Sequence, residues 1–490
     1  MEQTDQTPIT SDEQHLAALG YQQRLRRSMG GFSAFAVSFS FISVTTGLFA
    51  NYGFGLNQAG PRFIWTWVIV SVGQLLVALC FAHIAPRVPV AGYSYQWASK
   101  LVSHKFGWFP AWFAIGGWLT GTAGVGYAFA QYFAPYVGIG STQTTIVITT
   151  ILVLLSWLGI QLLGVRFASR VNNVSVGTEI IGSAVVGLFL LILTLVRHPD
   201  NFHYLTSRAG AAPGSYLAAF AVSGLVGAYT ITGFDGAADL AEETKNPGRN
   251  VPRAIISTEI VSAVIGFIML IGFTVAITNL KATQASGTPL LYIMQQHLGG
   301  FTPVVMTMVF ISIYACGLIN LAAISRLVFS LARDNVLPGG RPLTRLNGAK
   351  SPFVSLIVCA VIACLFTVVA KAEAIITSVG AVSDFAMYFL VIIAGLIATK
   401  KLAAPAGTFT LGNWFRPIAY ISLVWLLVAM VALTVPAINH TAAKGFLVVV
   451  LLAVVWYVVH IRRLRAPIAE EPETAQVAAG GTDIGPAASD

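Results

Sequence analysis

The sequence predicts an all-α integral membrane protein of twelve transmembrane helices. Three observations carry that expectation. Of 490 residues, 56% are hydrophobic and only 10% charged, against roughly 25% charged in soluble domains. Apolar stretches follow one another from about Gly30 to Ile461, each near the 20 or so residues that cross a bilayer. The basic residues also alternate. With the chain starting inside, only Arg62, Arg197, Arg208, Lys281, Lys371 and Lys444 of the 28 Lys and Arg fall on the outer side. Cytoplasmic connections carry such an excess, so the net charge of +9 reports topology rather than a nucleic-acid partner. Both termini are assigned to the cytoplasm.

Taken in order, residues 1–29 form a polar N-terminal segment without the basic-then-apolar pattern of a cleaved signal. The first six spans are expected over 30–58, 63–85, 107–136, 143–164, 173–197 and 216–243. The other six are expected over 253–278, 301–331, 352–370, 374–398, 417–437 and 444–461. Ahead of the third span, Gly92 to Lys105 sets Tyr93, Tyr95, Trp97 and Leu101 among polar residues, as an interfacial helix would. Gly116, Gly117, Gly121, Gly124 and Gly126 crowd the third span, where small residues let membrane helices approach closely. Connections are short, leaving one membrane domain over 30–461. The segment 462–490, rich in Ala, Gly, Pro and acids from Ala466 to Asp490, is expected to be a disordered cytoplasmic tail. Cys80, Cys316, Cys359 and Cys364 lie within apolar stretches and read as buried free thiols.

Two spans are interrupted at their centres. The first carries Ile42-Ser43-Val44-Thr45-Thr46-Gly47-Leu48-Phe49; the sixth carries Tyr229-Thr230-Ile231-Thr232-Gly233-Phe234-Asp235-Gly236. Continuous helix satisfies every backbone N–H and C=O in lipid, so an interruption turns backbone toward a ligand or a wet cavity. Matching interruptions in the two halves of a chain point to a carrier's binding site. Unwinding at Thr45, Thr46 and Gly47 would free amides at a half-helix N-terminus, which favours a carboxylate.

The sixth span adds Asp235 between Gly233 and Gly236, with Tyr229 one helical turn ahead of Gly233 as a gate. Acids at membrane depth default to functional roles. Glu179, two turns after Asn172-Asn173 in the fifth span, and Asp384, near Ser383 and Tyr388 in the tenth, are proton-coupling candidates on that ground. No Lys or Arg sits at comparable depth, so the acids suit an amine or protons better than a pure anion.

The run from Asp235 through Glu242-Glu243-Thr-Lys-Asn-Pro-Gly-Arg-Asn-Val-Pro-Arg253-Ala-Ile, with Arg326-Leu-Val-Phe-Ser-Leu-Ala-Arg-Asp334-Asn-Val-Leu-Pro338, resembles the amino acid–polyamine–organocation superfamily of permeases. Pro89-Val-Ala-Gly-Tyr-Ser-Tyr95 adds to that resemblance, which is nearest to the branch carrying GABA, amino acids and choline. It implies the leucine-transporter fold: inverted five-helix repeats over about 30–197 and 216–398, and peripheral helices over about 417–461. It also implies a substrate carboxylate at Thr45, Thr46 and Gly47, and an amine near Thr232, Gly233, Phe234 and Asp235. Tyr229 maps onto the family's aromatic gate. The chain departs from the Gly-Ser/Thr-Gly pattern common at the first break, and has Glu179 near a position where some proton-coupled relatives carry Lys.

On the cytoplasmic side, Arg26 and Arg27 are candidates to pair with Glu242 and Asp334 as an inner gate that closes in one state. The leading functional expectation is a secondary active, proton-coupled permease of the plasma membrane for an amino acid or GABA-like zwitterion. Its partners are that small molecule, protons and the lipid bilayer, with no nucleic acid; the oligomeric state is left open. The alternative is an amine or organocation carrier, for choline, ethanolamine or a polyamine, or an exchanger. No phosphate-binding loop, clustered histidines or nucleophile–base set is present, so no enzyme activity, metal or cofactor is expected.

Overall fold

A computed structural model describes residues 29–89, 93–163, 165–239, 241, 244–337, 340–348, 351–370, 373–398 and 407–463. Helices occupy each of the twelve stretches expected from sequence, and the described residues contain no strand. The first stretch is split into α1 (Gly31–Ile42) and α2 (Val44–Ala59). It is followed by α3 (Trp65–Ile84), the short α4 (Tyr93–Leu101) and the long α5 (His104–Tyr136). Two long helices complete the first half, α6 (Gln143–Leu163) and α7 (Val165–Arg197). The sixth stretch is fragmented into α8 (Tyr216–Ser223), α9 (Leu225–Thr230) and α10 (Gly236–Asp239).

Beyond it run α11 (Pro247–Val275), two short helices α12 (Leu280–Ala285) and α13 (Pro289–Leu298), and the long α14 (Thr302–Arg333). The single-turn α15 (Gly340–Leu343) precedes α16 (Phe353–Ala370), α17 (Glu373–Ala398), α18 (Phe415–Thr434) and α19 (His440–Val459). Helix starts follow local chemistry. Ser103, Ser215 and Asn279 accept N–H groups of the first turns of α5, α8 and α12, and Pro occupies the first turns of α11, α13 and α14, where no N–H is missed.

Among the described residues, ten helical stretches are long and apolar enough to cross a membrane. The other two expected stretches differ for visible reasons. Helix α5 dilutes its apolar residues with glycines, and the α8–α9 pair is short and interrupted at Gly224. Two boundaries also shift. The third long helix begins at His104 rather than 107, directly after α4 and the Ser103 cap, and α12 and α13 occupy a connection in which no helix was expected.

Burial separates the centre of the bundle from its rim. About 72% of the apolar window of α1–α2 is buried, against 11% for the last helix. Helices α5 and α17 pack along one another through small residues, with Gly380 backed by Thr120 and Gly117. By contrast α18 and α19 turn Val424, Leu427, Val428, Leu451 and Val455 outward. Such an apolar exterior belongs against lipid rather than water. The four cysteines are free.

Candidate functional site

The first interruption lies at Ser43, within the stretch singled out from sequence but two residues before the Thr45 to Gly47 turn expected to unwind. Ser43 takes a left-handed conformation (φ 39°, ψ 83°) and ends α1 with its N–H on Phe39 C=O at 3.0 Å. Its C=O then accepts the Gly47 N–H at 3.1 Å, so the chain is helical again from Val44. Thr45, Thr46 and Gly47 therefore form the first turn of α2 and are not unwound. The amide donors exist because a helix start leaves its first N–H groups without intrahelical partners. Gly47 also lets the sixth stretch approach: a Cβ there would collide with the Thr230 side chain.

Those amides have partners. Ser43 Oγ accepts from Thr46 N at 3.4 Å and shares a hydrogen bond with Thr46 Oγ1 at 2.6 Å. Glu179, fully within α7, accepts the Thr45 N–H through Oε1 at 3.3 Å. The Val44 amide and the hydroxyls of Ser43 and Ser312 also face its carboxyl. Below it, Ser183 Oγ donates to Glu179 C=O at 2.6 Å and lies 2.6 Å from Thr45 Oγ1. Glu179 is 2% exposed. A narrow crevice lined by Thr45, Phe49, Glu179, Ser183, Phe273 and Ser312 adjoins this cluster.

The second interruption covers Ile231 to Asp235, between α9 and α10. Gly233 has φ +91°, a conformation that L side chains rarely adopt. Tyr388 of α17 holds this segment. Its hydroxyl accepts the Gly233 N–H at 3.0 Å and donates to Asp235 Oδ1 at 2.8 Å. Thr232 Oγ1 donates to Tyr229 C=O at 2.9 Å. Phe234 is fully buried, stacked on Tyr388 at 5.1 Å with Phe81 edge-on at 5.9 Å. Tyr229 donates to Gly121 C=O of α5 at 3.2 Å, and its hydroxyl would meet a Cβ placed on Gly124.

The two interruptions meet. Gly47 faces Thr230, a Cβ on Gly233 would lie 3.2 Å from Phe41 Cβ, and the Ala237 N–H donates to Ser38 Oγ at 2.6 Å. The fragments of the first and sixth stretches thus lie side by side in opposite directions. Asp384, one turn before Tyr388, faces Gly117 of α5, and its Oδ1 has no hydrogen-bond partner.

On the cytoplasmic side, Asp334 caps α14, accepting from Gln96 Nε2 at 3.3 Å with Arg333 Nε at 3.6 Å. Burial raises its carboxyl above the usual range, and the Arg333 guanidinium pulls it back down. Arg26, Arg27 and Glu242 lie outside the described residues.

Sequence reasoning passed over Tyr388 as a partner for Asp235, and Ser43 as the point of interruption. It also passed over two buried acids whose carboxyl oxygens have no hydrogen-bond partner, Glu259 in α11 and Glu373 at the start of α17. Both were legible as charges within or at the edge of apolar runs. Among the described residues, no group of three or more His, Cys, Asp or Glu side chains is placed to hold a metal ion.

Known proteins resemble the chain over most of its length. A family model described as "Amino acid permease" matches residues 29–456. The amino-acid permease BAT1 of Arabidopsis thaliana is 25% identical over 451 residues, covering 86% of this chain and 87% of its own. Amino-acid permease 2 of Neurospora crassa is 28% identical over 405 residues, 77% of this chain and 73% of that one. The thiamine transporter thi9 of Schizosaccharomyces pombe is 25% identical over 472 residues, 86% and 80% of the two chains. The split first stretch, the fragmented sixth and a match covering nearly all of the helical region agree, and the chain belongs to the amino acid permease family of the amino acid–polyamine–organocation superfamily.

Proposed function

We propose that this chain is a secondary active permease that moves an amino acid or GABA-like zwitterion across the plasma membrane by alternating access, driven by protons. In this reading the twelve stretches all span the bilayer with both termini cytoplasmic. Residues 30–197 and 216–398 form inverted repeats, and the helices of 417–461 are peripheral. The substrate sits between the two interruptions, its carboxylate toward Thr45, Thr46 and Gly47 and its amine toward Thr232, Gly233 and Asp235. Tyr229 closes the site from outside, and the cytoplasmic charges around Asp334 close it from inside.

One observation carries the coupling: the Glu179 carboxyl accepts the Thr45 N–H. A carboxylate on a helix N-terminus is favourable, and a substrate carboxylate needs the same donors. Protonating Glu179 removes the charge that competes for them. Proton and zwitterion then bind together, and neither crosses efficiently alone. Asp384 serves as a second proton acceptor on the α5–α17 side.

The test is uptake of labelled amino acids by proteoliposomes under an imposed pH gradient. Accumulation should follow the gradient in the native chain. Glu179→Gln should keep exchange and lose gradient-driven accumulation. Uptake indifferent to the gradient would remove the proton from the mechanism. A second reading, an amine or organocation carrier, is favoured by the acids Asp235, Asp384 and Glu373, and by a relative named as a thiamine transporter. Competition between 4-aminobutyrate and butylamine separates the two: the zwitterion should win in the first reading and the amine in the second.

A further inference from the structure

Away from the two interruptions, the interface of α3 and α11 buries polar atoms that the proposed transport site does not use. The register of this interface is fixed. Trp67 Nε1 donates to Ala263 C=O at 2.9 Å, Gly266 backs onto the Trp67 ring, and Pro86 lies over Gly248. The two helices therefore run antiparallel. Helical periodicity puts Ser71 and Gln74 on the same face of α3 as Trp67, one and two turns further on. It likewise puts Ser262 and Glu259 on the same face of α11 as Gly266, one and two turns back. Antiparallel packing sets Ser71 opposite Ser262 and Gln74 opposite Glu259, on adjacent turns of the same interface. The α1 segment forms a third wall, where Thr258 Oγ1 lies 3.5 Å from Phe35 C=O.

Gln74, Glu259 and Ser262 are at most 1% exposed. Ser71 Oγ, Gln74 Oε1 and Nε2, both carboxyl oxygens of Glu259 and Ser262 Oγ are all without a hydrogen-bond partner. Native structures leave few such atoms, and those they leave need an explanation. An uncompensated buried carboxylate is the most costly of them.

Five of the six atoms are oxygens, the donor set of a hard cation. With one carboxylate among them, a single positive charge leaves the site neutral, whereas a divalent ion would leave net charge at membrane depth. We propose that Ser71, Gln74, Glu259 and Ser262 form a binding site for a monovalent metal cation, lying between the second and seventh spans and separate from Glu179. Such an ion would tie α3 to α11 while the interrupted helices move.

Equilibrium binding of 22Na+ to the purified full-length chain, in a choline chloride background, tests this. The native chain should bind one Na+ saturably. Glu259→Gln should weaken binding about a hundredfold or more, because the balancing charge is gone. Ser262→Ala removes one neutral oxygen and should weaken binding about three- to tenfold with little change in thermal unfolding without Na+. It keeps the test decisive if Glu259→Gln does not fold. Glu179→Gln should bind Na+ as the native chain does. No saturable binding in the native chain, unchanged binding in Ser262→Ala or Glu259→Gln, or loss of binding in Glu179→Gln would each overturn the proposal. Because none of these readouts is transport, they stand or fall independently of the permease reading.

Discussion

Tyr388→Phe should loosen the second interruption without disturbing the packing around it. The substitution removes one oxygen and leaves the ring stacked on Phe234 at 5.1 Å and edge-on to Phe81 at 5.1 Å. What disappears is a hydroxyl that accepts the Gly233 N–H and donates to Asp235 Oδ1. A hydrogen bond to a charged group contributes about 1.5–3 kcal/mol, and a buried N–H left without an acceptor costs about 1–3 kcal/mol. The lower ends of the two ranges, with some local rearrangement, give a net loss of about 2–3 kcal/mol. At 1.4 kcal/mol per tenfold, opening of the segment becomes easier by roughly 30- to 150-fold. Hydrogen–deuterium exchange of peptides covering Ile231 to Gly236 reads this directly, with α19 peptides as an internal control. Combining Tyr388→Phe with Asp235→Asn should cost less than the sum of the two singles, because they remove one shared contact. Exchange at the interruption equal to that of the native chain would refute the claim that Tyr388 holds it.

The first interruption gives two further tests, both read by unfolding of the purified protein. Gly47→Ala should destabilise by about 1–3 kcal/mol through overpacking, since the new methyl meets the Thr230 side chain; Thr230→Ala in the same chain should recover only part of the loss, because the Cβ at 230 still lies 2.5 Å from the new methyl. Ser43→Ala should cost about 1 kcal/mol by removing the oxygen that accepts the Thr46 N–H. Ser43→Gly should be nearly neutral, because relief of the left-handed backbone offsets the lost cap. A larger loss for Gly than for Ala would contradict the left-handed assignment.

The pattern of legibility follows from how far each cause reaches along the chain. Helices and their order are local: apolar length alone placed a helix at each of twelve stretches, and the second interruption announced itself through Gly233 and Gly236 beside an acid. The first interruption was displaced because the sequence offers a glycine at 47 and only a serine at 43. Left-handed backbone is rare for residues other than glycine, so Gly47 drew the inference. In the fold that glycine also serves the approach of α9. Non-local contacts were not readable. Glu179 meets Thr45 across 134 positions, and Tyr388 meets Asp235 across 153. Both acids were found as charges in apolar surroundings, but nothing local to either says which helix supplies its partner. The cluster around Glu259 needed the antiparallel register of α3 and α11, which exists only once the bundle is assembled.

The two interruptions are held in different ways, and both holds come from outside the interrupted pair. The first is a single left-handed residue followed by a Thr45 amide that Glu179 of α7 takes up; the second is five residues long and is pinned by Tyr388 of α17. If the alternation of access proposed above separates the half-helix α2 from α7 in at least one step, the contact between the Thr45 amide and Glu179 opens with it. That motion can be arrested. The side-chain oxygens of Thr45 and Ser183 are 2.6 Å apart, close enough for cysteines at both positions to be joined by oxidation with small adjustment. The native Cys80, Cys316, Cys359 and Cys364 would first be replaced by serine or alanine, in a background verified to transport. Oxidised Thr45→Cys/Ser183→Cys should then lose uptake in proteoliposomes, regain it on reduction, and leave each single variant insensitive to oxidant. Full uptake by the cross-linked chain would mean that α2 and α7 travel as one body, and the movement between them would have to be abandoned.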